Sequence, residues 1–240
     1  MKNQNFNKGL TLTALGSFWW GVIGVVYFKY ISFAGPIEVV IHRCIWTSVV
    51  LIMTTFYFSK WNIFFEIISN RKKLVWLFFS GLLIFVNWAV WIYAVGTEKI
   101  IDASFGYFIM PILSVFLGYI FYNEKINRKR SISIILVLIS ILFLMAVNYN
   151  SIPWVGIIVA LSWGFYNLLR KKIDVDTDVG LLIESLFILP FALFSFYLIF
   201  QNNLNDFSLS SPSLMLILML AGPMTVIPLF MYVRGVELCG

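Results

Sequence analysis

The sequence predicts an all-α polytopic membrane protein, an inverted repeat of five-helix units (5+5) in which eight transmembrane helices are present and the last two are missing. Composition, uncharged stretches and an internal repeat carry that prediction. With 61% hydrophobic and 12% charged residues and a mean hydropathy of +0.92, the chain has far fewer charges than the roughly one quarter usual in soluble domains. A soluble core could not hide so many apolar side chains, so the bilayer is the expected partner.

The elements follow in order. Residues 9–28 form an uncharged run preceded by Lys2 and Lys8. It is too long for a signal-peptide core and lacks a small-x-small cleavage site before the next span, so it reads as a first membrane helix. A second helix starts after Pro36 and carries Glu38, His42 and Arg43. Residues 74–97 and 103–123 give the third and fourth. The 39 uncharged residues 131–169 would make one helix of about 58 Å, nearly twice the ~30 Å hydrocarbon core. The polar break at 148–153 divides them into two. A seventh helix after Val179 carries Glu184, and residues 207–233 supply the eighth.

Charge sets the expected orientation. With the N-terminus cytoplasmic, the inner side holds Lys2, Lys8, Lys60, Arg71, Lys72, Lys73, Lys125, Arg128, Lys129, Arg130, Arg170, Lys171, Lys172 and Arg234, leaving outside only Lys29 and Lys99 of the 17 basic residues, with Arg43 inside a span. Such a bias is the positive-inside signal, and it places both ends in the cytoplasm. The net charge of +6 then reflects topology, and nucleic acid is not an expected partner. Cys44 and Cys239 make no disulfide framework.

The repeat is legible directly. GLLIFVNWAVWIYAV (81–95) and GPMTVIPLFMYVRGV (222–236) align at a shift of 141 residues, and Trp20-Gly21 with Lys29 recurs as Trp163-Gly164 with Lys172. An odd number of helices per unit inverts the second unit in the membrane. The expected domains are residues 8–147 and 152–240, the second stopping after its third helix. This makes the chain a fragment or an eight-helix variant.

Polar groups inside spans are the candidate site, since a charge near the bilayer centre costs at least ~2.5 kcal/mol and must face protein or water. Arg43 lies about 10 Å along its helix from Pro36. Glu38 and His42 flank it at i,i+4 spacing on one face. Asp102, at the outer start of the fourth helix, is the expected counter-ion of Arg43, whereas Glu184 should lie toward the inner side. Ser104, Tyr107, Pro111, Ser114 and Gly118 recur at alternating intervals of three and four, a stripe that faces helices or a cavity. Asn87 and Trp91 share a face of the third helix, next to Trp88. Helix packing, structural ion pairs and interfacial tryptophans are the competing readings of these residues.

Six strings resemble one family: IEVVIHRCIW (37–46), NWAVWIYAV (87–95), DASFGYFIMP (102–111), the helix end 118–124, GFYNLLRKKI (164–173) and GLLIESLFILP (180–190). They are similar to the RarD branch of the EamA-type transporters in the drug/metabolite transporter superfamily. The resemblance implies a ten-helix bacterial inner-membrane permease whose relatives move amino acids, nucleotide-like metabolites or drugs. Asp102 stands where that family usually has Glu, and motifs of a ninth and tenth helix, including an acidic helix end mirroring Glu124, are absent.

The expected function is secondary transport of a small organic metabolite or drug by alternating access, with the solute between the two repeats. Arg43, Asn87, Trp91, Ser104, Tyr107 and Pro111 are the substrate or cavity candidates. Glu38, His42, Asp102 and Glu184 are the candidates for proton coupling or ion pairing, His42 being the sole histidine. No Walker loop is present, so ATP is not expected to drive the cycle. One histidine and two separated cysteines offer no catalytic or metal constellation, so an enzyme, a metal and a cofactor are not expected. A truncated, non-transporting membrane protein or interaction subunit is the alternative.

Overall fold

A computed structural model describes residues 2–123, 127–148, 153–173, 175–208 and 211–239, and among them all regular structure is helical. The helices are α1 (Lys2–Phe18), α2 (Val25–Tyr30), α3 (Gly35–Tyr57), α4 (Trp61–Ser69), α5 (Arg71–Gly96), α6 (Ile100–Tyr122), α7 (Arg128–Asn148), α8 (Trp154–Ile173), α9 (Thr177–Gln201), α10 (Pro212–Met219) and α11 (Ala221–Cys239). Among the described residues, five stretches are long and apolar enough to cross a membrane: Asn5–Tyr57, Arg71–Gly96, Ile100–Tyr122, Thr177–Gln201 and Pro212–Gly235.

The first stretch has 53 residues, about 80 Å if it were one straight helix. It is interrupted by a 3₁₀ turn at Ile31–Ala34 and by Gly35 at φ 75°, a backbone conformation that glycine adopts without penalty. The first two expected spans both lie inside it. Ser131–Phe143 in α7 forms a shorter apolar helix. α8 has 20 residues and ends in Arg170, Lys171 and Lys172; it is not among the five, because its polar end lowers the hydropathy that an all-apolar span would have. The polar break at 149–152 and Glu124 lie outside the described residues.

Helix boundaries have local causes. Pro36 sits in the first turn of α3, where a missing N–H costs nothing. Asp176 caps α9 by accepting the Val179 N–H at 3.3 Å. Asn123, at φ 51°, ends α6 and donates its N–H to the Gly118 carbonyl, a left-handed cap that asparagine tolerates. Trp19–Gly24 is π-helical, a widening that periodicity does not reveal. Nor is α4 separable in the sequence, because its short run WNIFFEIIS lies between Lys60 and Arg71 in what reads as a basic loop.

The chain divides into two compact units: Met1–Gly81 with Val175–Gly240, and Leu82–Asp174. In the first, α1 packs on α11, and α3 packs on both α9 and α11. In the second, α6 packs on α8. There Gly106 faces Gly156 so closely that a Cβ on Gly106 would run into the Gly156 carbonyl. The packing is that of small residues letting membrane helix backbones approach. Ala94, Ala103 and Val155 form a buried apolar cluster in this unit, with Trp91 packed against it.

Candidate functional site

In the first unit, the ionisable residues of α3 sit on a mostly apolar helix. Glu38, His42 and Arg43 are 3%, 2% and 7% exposed, burial that requires partners. His42 Nε2 lies 3.4 Å from Glu38 Oε1. The backbone N–H of Asp206 donates to Glu38 Oε2 at 2.9 Å and that of Phe207 to Oε1 at 3.0 Å. Glu38 thereby ties the start of α3 to the segment that follows α9.

On its other side His42 accepts a hydrogen bond at Nδ1 from Trp46 Nε1 at 3.3 Å. A neutral imidazole that accepts at Nδ1 carries its proton on Nε2, the nitrogen at ion-pair distance from the Glu38 carboxylate. The rings of Phe196 and Phe207 stand 5.3 and 4.6 Å from the imidazole. Trp46, His42 and Glu38 thus make one polar line along α3, enclosed by aromatic rings and capped by two backbone amides. Arg43 points elsewhere, its Cζ lying 4.9 Å from the Phe28 ring centroid, a cation–π distance.

Glu184 on α9 is fully buried, and the Ser80 hydroxyl of α5 donates to its Oε1 at 2.5 Å. At the same crossing, a Cβ on Gly81 would come 3.2 Å from the Glu184 carbonyl. Lys60, after α3, donates to Asp178 at 2.8 Å and to Asp176 at 2.9 Å. Burial acts to raise the Asp176 pKa, but hydrogen bonds with Asp178 and Lys60 outweigh it and hold the carboxyl below its ordinary value. For Lys60, burial acts downward and the same carboxylates outweigh it, so its pKa is raised. Among the buried side chains of this unit, Trp19 Nε1, Thr47 Oγ1 and Thr55 Oγ1 have no hydrogen-bond partner.

In the second unit, the Asn87 amide on α5 donates to the Val159 carbonyl and to Ser162 Oγ of α8, both at 3.2 Å. Asp102 is half-buried in the first turn of α6. Of the stripe on α6, Ser104, Tyr107, Pro111 and Ser114 are exposed and Gly118 is buried. Pro111, Ser114 and Gly118 line a cavity of about 580 Å³ among α6, α7 and α8, whereas Ser104 and Tyr107 do not.

Glu38, His42, Arg43 and Glu184 stand out in the sequence as ionisable groups in apolar runs, whereas the parts of Trp46, Ser80, Asp206, Phe207 and the Lys60 cluster do not. The spacing of His42 and Trp46 held one signal; the others meet only through the fold.

Buried carboxylate, imidazole and guanidinium groups on helices long and apolar enough to cross a bilayer define a multi-pass membrane protein with polar sites inside its spans. Residues 7–146 match the EamA-like transporter family, and the chain belongs to that family of membrane transporters. It is 32% identical over 240 residues to the uncharacterized transporter YojE of Bacillus subtilis, covering 99% of this chain and 79% of that protein. It is 33% identical to an uncharacterized transporter of Vibrio cholerae, covering 95% and 75%, and 32% identical to Protein RarD of Escherichia coli, covering 97% and 78%. No solved structure gives a significant match.

Proposed function

We propose that the protein moves a small organic metabolite or drug across a bacterial inner membrane by alternating access, with proton movement at the Glu38–His42 pair of α3. The observation that carries this reading is the polar line Trp46, His42, Glu38, closed by the Asp206 and Phe207 amides inside an apolar unit. Once His42 takes a second proton at Nδ1, in place of the Trp46 hydrogen bond, the imidazolium can pass its Nε2 proton to the Glu38 carboxylate, and a carboxyl that gains one accepts backbone hydrogen bonds less strongly. Protonation would therefore loosen the segment held on Glu38. The family membership supports a transport role.

The remaining candidates take roles by position. Glu184, held by Ser80, is a further buried carboxyl available to a proton cycle. Arg43 offers a cation to an anionic or carbonyl-bearing solute, and Thr47, one turn on, offers a hydroxyl without a partner. In the second unit, Asn87, Trp91, Ser104, Tyr107 and Pro111 are the proposed solute-facing or helix-positioning set, with Asp102 as its acidic member.

We also read the architecture as an inverted repeat of residues 8–147 and 152–240, with eight spans and both ends cytoplasmic. Packing supports this. The matched glycines Gly81 and Gly222 each mark a close approach, to α9 at Glu184 and to α3 at Trp46, and α3 and α9 are themselves matched by the repeat. Likewise α1 packs on α11, while their repeat mates α8 and α5 are joined through Asn87 and Ser162.

The test is solute exchange in proteoliposomes loaded with a labelled metabolite extract and with chloramphenicol, with and without a pH gradient. Uptake of one solute class that the gradient accelerates, lost in Glu38→Gln, is expected. Exchange unaffected by pH and by Glu38→Gln would remove the proton role.

A further inference from the structure

The cavity among α6, α7 and α8 has an amphiphile's shape of chemistry. Its walls are apolar, with Val115, Ile134 and Val137 among them, and its polar end carries Tyr122, Asn167 and Lys171. Among the described residues no acidic side chain lines it, and its volume is about 580 Å³. Lys171 Nζ stands 4.6 Å from the Tyr122 ring centroid, and the Tyr122 hydroxyl donates to the Leu168 carbonyl at 3.1 Å, so ring and cation are held at one end. That end is also where α8 finishes in Arg170, Lys171 and Lys172.

A largely apolar trough with one cation, Lys171, at its mouth complements a ligand with an apolar tail and an anionic head. Basic pockets between membrane helices bind anionic headgroups in this way. We infer that this cavity is a binding site for an anionic phospholipid, its acyl chain along α6 and α7 and its phosphate at Lys171 and Asn167. The site uses none of the groups assigned to the proton cycle. Its placement in the cytoplasmic leaflet rests on the topology proposed above; lipid retention does not, so the two fail separately.

Native mass spectrometry of the full purified chain, offered phosphatidylglycerol and phosphatidylcholine at equal concentration, tests the inference. Retention of phosphatidylglycerol about five-fold above phosphatidylcholine is expected, the discrimination of a single well-placed cation. Lys171→Glu should bring the two lipids to parity, with Lys171→Met giving the same loss if the reversal of charge impairs folding. Val137→Trp, which fills the trough, should reduce retention of both lipids, while Lys73→Glu, outside the cavity, should leave the preference unchanged. Glycerol 3-phosphate should not displace the lipid. Equal retention by the wild type, a preference that survives both the Lys171 and Val137 substitutions in monodisperse protein, or displacement by glycerol 3-phosphate would each overturn it, the last pointing to a small-anion site.

Discussion

Glu38 is buried, accepts hydrogen bonds from two backbone amides and stands beside an imidazole. Glu38→Gln keeps the shape but removes the charge and places an amide N–H₂ where an oxygen accepted a donor. Transport by the variant should fall at least about ten-fold, and its residual rate should lose pH dependence, since a charge-assisted hydrogen bond is worth roughly 1.5–3 kcal/mol. Asn87 is a different case, because its amide already has two partners on α8. Asn87→Leu should lower unfolding stability in detergent by about 1–2 kcal/mol, measured by thermal melting. These residues were legible as polar groups in apolar runs. Their partners were not, because Asp206 and Phe207 act through main-chain N–H groups that every residue type possesses.

At the scale of elements, α3 and α9 are fastened at both ends, by Glu38 to the segment after α9 and by Lys60 to Asp176 and Asp178 at the start of α9. The Lys60 cluster is partly exposed, so its worth is modest: Lys60→Met should cost about 1 kcal/mol, less in high salt. Its pH dependence has a definite sign. Asp176, with its folded pKa lowered, contributes stability that is present above the ordinary aspartate value and lost as pH falls through the lowered one. Lys60, with its pKa raised, contributes stability that is present below the ordinary lysine value and lost as pH rises through the raised one. The stability difference between wild type and Lys60→Met should therefore be flat through neutral pH and shrink in strong acid and strong base. Between α6 and α8, Gly106→Leu would force apart backbones that now touch, and a loss of about 2 kcal/mol or more, read by thermal melting, is expected.

For the whole molecule, composition and uncharged runs gave the membrane class, and Pro36 and the Asp176 cap marked where α3 and α9 begin. The π-helical turn at Trp19–Gly24 escaped because it does not interrupt hydropathy, and α4 because its short run is flanked by Lys60 and Arg71 and reads as a loop. The cavity among α6, α7 and α8 was half visible: the stripe of Pro111, Ser114 and Gly118 has helical spacing, but Lys171 joins it from α8, 53 positions beyond Gly118. The most direct measurement is solute exchange by reconstituted wild type and Glu38→Gln in the same proteoliposome preparation. The account predicts that the wild type moves at least one small organic solute faster than empty liposomes, that an inward-directed proton gradient alters the rate, and that Glu38→Gln abolishes the gradient's effect. Exchange no faster than empty liposomes, from protein that is folded and inserted, would contradict it.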